Sequence, residues 1–184
     1  VSGGSAANTI ANLAALGAKV AFSGHVHQDE LGALFVEELD QIGVMHHIVP
    51  AKTGAPTSLC IVSVTPDSER TMATYLGASC DFSYSDISLD LCRRAKVIYC
   101  EGYLWDSFAA KDAVDALLAD ESISASLAFS LSDVAVIKRH HSDFMTLIAH
   151  AKVRLVFGNE LEFQSLFGHE TTQAVIATAK RYNH

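Results

Sequence analysis

Long apolar runs, prolines and basic residues are all scarce in this 184-residue chain. No apolar stretch approaches the roughly 18 residues needed to cross a bilayer, so no segment reads as a membrane-spanning helix. There are only 3 prolines, no internal repeats and no low-complexity or linker-like stretches, which points to one continuous folded domain. Lys and Arg total 13 against 21 Asp and Glu, a formal net charge of −8. That balance repels polyanions and no basic cluster offsets it locally, which argues against a nucleic-acid partner. A small phosphorylated ligand stays compatible, because Mg2+ and helix N-termini supply local positive potential. The 4 cysteines, Cys60, Cys80, Cys92 and Cys100, have neither C-x-x-C nor zinc-site spacing. Their mostly apolar surroundings lead to the expectation of reduced, buried, structural thiols and a cytoplasmic protein. A P-loop, a G-x-G-x-x-G fingerprint and a G-x-S-x-G elbow are also missing.

What is present is an ordinary globular composition, 49% hydrophobic and 18% charged, in a chain long enough for a sizeable core. Apolar periodicity predicts helices over residues 6–16, 31–42, 85–95, 107–119, 133–149, 160–167 and 171–182. Short apolar runs predict strands over 19–24, 44–49, 97–103, 126–131 and 153–157. Strands alternating with helices imply a mainly parallel sheet covered by helices on both faces. Residues 57–64 and 70–76 break the alternation. They are β-rich and flank Thr65-Pro66-Asp67-Ser68-Glu69, whose turn chemistry predicts an antiparallel hairpin, a β insert of about residues 53–80. The glycine turn at the start has no core strand before it and the last helix has no strand after it, so truncation at both ends is expected.

Three segments are candidates for chemistry. In Gly3-Gly4-Ser5-Ala6-Ala7-Asn8 the glycines let a ligand approach the backbone, the helix start presents unpaired N–H groups, and Asn8 can both donate and accept, as a vicinal diol does. The same residues also suit a plain turn with a capping Asn. Asn159 and Glu162 follow a strand end and share a helix face, where they could order the hydration shell of Mg2+; they also suit a helix cap. Arg70 opens the second hairpin strand, where a guanidinium could reach a phosphoryl oxygen or simply face solvent, and Met72, Thr74 and Leu76 share one strand face. His25 and His27 share a strand face without a third metal ligand. The adjacent pairs His46-His47 and His140-His141 do not converge, and Glu37-Glu38 reads as a solvated pair on a helix.

The opening segment, followed by Leu13-Ala14-x-Leu16-Gly17 and Gly24-x-Val26 with Asp29 and Gly32, resembles the first signature of the PfkB/ribokinase family of carbohydrate and nucleoside kinases. The likeness continues in order through residues 70–76 to Asn159-x-x-Glu162 and covers essentially the whole chain. The run Asp67-Ser68-Glu69-Arg70-Thr71-Met72-Ala73-Thr74-Tyr75-Leu76 resembles the adenosine-kinase branch. The resemblance implies a ribokinase-like α/β fold and transfer of the ATP γ-phosphoryl to a ribose 5′-hydroxyl, with the β insert as a lid. By position, Gly3, Gly4 and Asn8 would hold the ribose, Met72, Thr74 and Leu76 would line the nucleoside pocket, and Tyr103 would stack on the base. Arg70 would face the phosphoryl group, and Asn159 with Glu162 would order Mg2+ and phosphate. ATP and Mg2+ are thus the implied co-substrate and cofactor, with a homodimer through the lid as a further implication. His27 stands where the family has glycine, and Val134-Ala135 stands where it has Pro-Phe, which removes one aromatic wall of the base pocket. The family's Gly-Ala-Gly-Asp turn, which carries the general base, does not occur in these residues, so this stretch alone should be nearly inactive. A sugar kinase of ribose or fructose type and a non-catalytic ligand-binding relative are the alternatives.

Overall fold

A computed structural model describes residues 2–168 and 171–180. It divides into two compact units, Val1–Ser88 and Leu89–His184.

In the first unit, helix α1 (Ser5–Ala15) leads to strand β1 (Ala21–Ser23), then helix α2 (Glu30–Gln41) leads to strand β2 (Met45–His47). The two strands pair in parallel, Ala21 opposite Met45 and Ser23 opposite His47. Both helices end the same way. Gly17 (φ 84°) and Gly43 (φ 73°) take the left-handed conformation that turns the chain. Ala18 N–H then bonds Leu13 O at 3.0 Å, and Val44 N–H bonds Leu39 O at 3.0 Å, satisfying carbonyls the helix leaves open. Asp29 caps α2 by accepting from Gly32 N. Hairpin strands β3 (Leu59–Val64) and β4 (Arg70–Tyr75) pair antiparallel, Val64 opposite Arg70. Its turn closes through Thr65 N–H to Glu69 O and Ser68 N–H to Thr65 O, with Ser68 at φ 67°. A type I turn followed by one left-handed residue matches the twist of the flanking strands.

The second unit carries the larger core. Helix α3 (Leu89–Arg94) precedes β5 (Val97–Glu101), a 3-10 turn at Gly102–Asp106, α4 (Phe108–Ala119) and β6 (Ser126–Ser130). Then follow α5 (Val134–Arg139), α6 (His141–Ile148), β7 (Val153–Phe157), α7 (Glu160–Phe167) and α8 (Thr172–Ala179). The strands form a parallel sheet in the order β5-β6-β7. Trp105, Phe129 and Phe144 meet edge to face with centroids 4.9–5.5 Å apart, the geometry aromatic quadrupoles favour, and anchor a cluster with Leu131, Ile137, Leu147 and Leu166.

Several sequence expectations need correction. The helix expected over 133–149 is two helices broken at His140 (φ −121°, ψ 27°), where Arg139 and His140 both turn to the Asp106 carboxylate. The strand expected to run to Tyr103 stops at Glu101, because Gly102 N–H is taken by the Ser132 hydroxyl. In 85–95, Ser83 and Asp86 form a capping box around a short 3-10 turn, so α3 starts only at Leu89. His25 and His27 lie beyond β1 rather than on a strand face, and His27 makes an isolated parallel bridge with Ala51. Leu76 falls past the end of β4, so only Met72 and Thr74 keep the predicted strand alternation. The hairpin has no half-buried face, since every residue of β3 and β4 is exposed. The expected end of the last helix at Tyr182 lies outside the described residues.

The cysteines differ most. Cys60 and Cys80 are exposed and Cys92 is half-buried, leaving Cys100 as the buried one. Apolar neighbours in sequence suggested burial for Cys60, but no second layer covers the hairpin within its unit.

Candidate functional site

Helix α1 starts on Gly4 (φ 96°) with no side-chain cap, so its first N–H groups are not taken by a capping side chain. Nothing lies within 4 Å of a Cβ built on Gly3 or Gly4, so the backbone there is open to a ligand. Asn8 is exposed on the first turn, its N–H bonded to Gly4 O at 2.9 Å. Gly3, Gly4 and Asn8 thus lie at the open start of one helix.

A second cluster in the same unit joins Asp29 and Gly32 of the opening signature to Thr57, which nothing in the sequence singled out. The Asp29 carboxylate accepts from Gly32 N (2.8 Å), Thr57 N (2.8 Å) and Thr57 Oγ1 (2.7 Å). These bonds, those from Thr57 first, hold the Asp29 carboxyl below its ordinary value. Thr57 Oγ1 also accepts from His27 N at 3.0 Å, so the stem of the β insert is tied to the start of α2. The other end of the insert returns to the same place: Ala78 N–H bonds Pro56 O at 2.9 Å, and a Cβ on Gly77 (φ 50°) would sit 2.2 Å from that oxygen. His25 Nδ1 and Asp86 Oδ1, 2.8 Å apart, join the loop after β1 to the segment beyond the insert. Arg70, Met72 and Thr74 lie on β4 and Leu76 just after it; all four are exposed, Met72 at 65%.

In the second unit, Tyr103, Asn159 and Glu162 lie at the carboxyl ends of the strands, where open α/β sheets bind ligands. Asn159 and Glu162 form a reciprocal cap: Glu162 N–H donates to Asn159 Oδ1 (2.9 Å), while Asn159 N and Nδ2 donate to Glu162 Oε2 (3.1 Å) and Oε1 (2.8 Å). Glu162 is 8% exposed and both of its oxygens are engaged. Each oxygen keeps a lone pair, so the pair fits an ion reached through water rather than a direct ligand cage. Among the described residues no cluster of three or more His, Cys, Asp or Glu suits a metal. Tyr103 is 49% exposed. Burial first, then the negative charges of Asp133, Glu101, Glu162 and Asp106, raise its phenol above the ordinary value. Its hydroxyl donates to Ser132 O at 3.4 Å. Ser132, missed in the sequence, has φ 69°, and no local signal marks that conformation in a serine.

Away from these strand ends, Arg139 Nε and Nη2 fork onto Asp106 at 3.0 and 2.6 Å, and His140 Nε2 adds a 2.8 Å contact. The Arg139 bond chiefly holds the Asp106 carboxyl below its usual range. His141 Nε2 pairs instead with Leu166 O, so the two histidines diverge as expected.

The sequence pattern of the family described as pfkB family carbohydrate kinase matches residues 1–184. The chain belongs to that family. The adenosine kinase from Sinorhizobium meliloti superposes on all of the chain with a TM-score of 0.93 at 35% identity, and the chain spans 56% of it. A probable sugar kinase from Rhizobium etli CFN 42 superposes on 98% of the chain with a TM-score of 0.92, also at 35% identity, and the chain spans 55% of it. Among curated relatives, the probable fructokinase-4 of Arabidopsis thaliana is 34% identical over 99 residues, 53% of this chain and 30% of that protein. The fold is thus the ribokinase-like α/β fold, and the chain spans about half the length of the kinases it superposes on. Among the described residues no helix is long and apolar enough to cross a membrane.

Proposed function

We propose that this chain is part of a cytoplasmic, ATP-dependent kinase that phosphorylates the hydroxymethyl group of a ribose-containing acceptor, with adenosine as the first candidate. The observation that carries adenosine is the run Asp67 to Leu76, which resembles the adenosine-kinase branch, since the adenosine kinase and the probable sugar kinase share the same 35% identity with this chain. Gly3, Gly4 and Asn8 take the ribose hydroxyls, for which an uncapped helix start with open backbone is suited. Met72, Thr74 and Leu76 line the nucleoside pocket and Tyr103 offers its exposed ring face to the base. Arg70 contacts the transferring phosphoryl group. Asn159 and Glu162 would hold Mg2+ through its hydration shell, and the ion would supply charge that offsets the phosphates. The insert of about residues 53–80 serves as a lid. Its support is a hairpin with every strand residue exposed on a stem that is tied down at Thr57 and Ala78. Such a hairpin gains burial when it covers a ligand or a second copy of itself.

A free sugar is the second reading, favoured by the fructokinase relative and the probable sugar kinase. The test uses the polypeptide as its gene encodes it, with adenosine, ribose and fructose as acceptors and ADP release as the readout. Turnover with adenosine at micromolar KM is expected, and Asn8→Ala should raise that KM about tenfold, the loss of roughly one charge-free hydrogen-bonding group. Turnover on a free sugar with none on adenosine overturns the nucleoside assignment.

A further inference from the structure

We propose that Ser132 is a positioning residue that fixes the Tyr103 ring as a platform for the base; this rests on the nucleoside-kinase reading above. Strand β5 stops at Glu101, and the next N–H, that of the buried Gly102, needs an acceptor. The Ser132 hydroxyl supplies it at 2.9 Å, and lies 3.3 Å from Ser130 O, to which it donates. The Tyr103 hydroxyl in turn donates to the backbone carbonyl of Ser132 at 3.4 Å. One residue therefore holds Tyr103 from two sides, through the N–H of Gly102 just before it and through the phenol at its tip.

The backbone shows why serine stands there. Ser132 has φ 69°, a conformation that glycine adopts freely and serine adopts under strain. Glycine would relieve that strain but could not accept from Gly102. Serine at this position exchanges backbone ease for a hydroxyl at the rim, the pattern expected of a site rather than of a plain turn. Gly102 has no room for a side chain: a Cβ there would lie 2.8 Å from the Phe144 ring and 2.9 Å from Leu131 O. The ends of β5 and β6 are thus pressed together, and Trp105, buried against Phe129 and Phe144, anchors the far side of the turn. Between these anchors Tyr103 keeps 49% of its surface open. A ring fixed before binding loses little freedom when a flat ligand stacks on it.

The test compares Ser132→Ala, Ser132→Gly and Tyr103→Phe in the polypeptide as its gene encodes it. Melting temperature, KM and kcat for adenosine, and adenosine affinity by calorimetry are the readouts. Ser132→Ala loses the hydroxyl and keeps the strain, so it melts lower; Ser132→Gly loses the hydroxyl and the strain together, so it melts near the parent. Both should raise the adenosine KM and Kd by the same about three- to tenfold, with kcat changed less, and Tyr103→Phe should do likewise with its melting intact. Affinity that falls only in proportion to melting temperature, or that is unchanged in Ser132→Gly and Tyr103→Phe, overturns the proposal. A parent protein that binds no adenosine but phosphorylates a free sugar overturns the nucleoside reading itself, and the platform role with it.

Discussion

At the scale of single residues, Cys60 and Cys80 show how far local sequence misleads about burial, and Cys100 is the one thiol buried as expected. Set in β5, it is 6% exposed, and burial, with Cys92 and Glu101 nearby, pushes its thiol up to about 12. A thiol so raised is protonated at neutral pH and unreactive. Cys60 and Cys80 stand exposed. Alkylation of the native protein at pH 8, read by peptide mass, should therefore modify Cys60 and Cys80 readily, Cys92 slowly, and Cys100 only after unfolding. Early labelling of Cys100 would contradict its place in the core. None of this ordering was legible in the sequence, where Cys60 between Leu59 and Ile61 looks as apolar as Cys100 between Tyr99 and Glu101. Asp29 is a similar case. Its bond to Gly32 N is local, three residues on, whereas its two bonds to Thr57, 28 positions away, leave no trace in the residues around it.

At the scale of elements, α7 tests whether a cap and a ligand site can be the same residues. The Asn159–Glu162 box satisfies the open end of the helix, so Asn159→Ala should cost about 1 kcal/mol of unfolding free energy, measured by urea denaturation. Asn159→Ser retains an N-cap oxygen and should melt like the parent. Because it removes the amide, it should still raise the KM for ATP and the Mg2+ requirement. An unchanged Mg2+ dependence in Asn159→Ser assigns the pair to capping alone. The helix and both partners were legible because a cap needs only four consecutive residues. The break between α5 and α6 was not: the apolar spacing runs on through both helices, and the interruption comes from Asp106, more than 30 residues away. The hairpin lies between these cases. Pro66-Asp67-Ser68 announced its turn, but alternation along β4 could not reveal that both faces of the pair are exposed.

At the scale of the whole chain, the exposed apolar surface stands out. Ile61, Val64 and Met72 on the hairpin are each more than 60% exposed, and Leu155 and Phe157 on β7 are about half exposed. Surface of this kind marks contacts that are made with something else. Residues 1–184 expressed alone should bind a hydrophobic dye and self-associate, as read by fluorescence and light scattering. A monodisperse monomer with one sharp melt would contradict this.

The sequence by itself determined the alternating α/β order, the hairpin and its turn, the α1 and α2 endings at glycine, the α7 cap and the family. All of these rest on signals within a few residues of one another, where φ preferences, periodicity and capping act. The tertiary structure decided the Thr57 bonds to Asp29, the bend at His140, the state of each thiol and the left-handed Ser132 bonded to the Tyr103 hydroxyl. Each of those depends on a partner brought from a distant part of the chain, and the energy of such a contact leaves no mark on the residues that neighbour it in sequence.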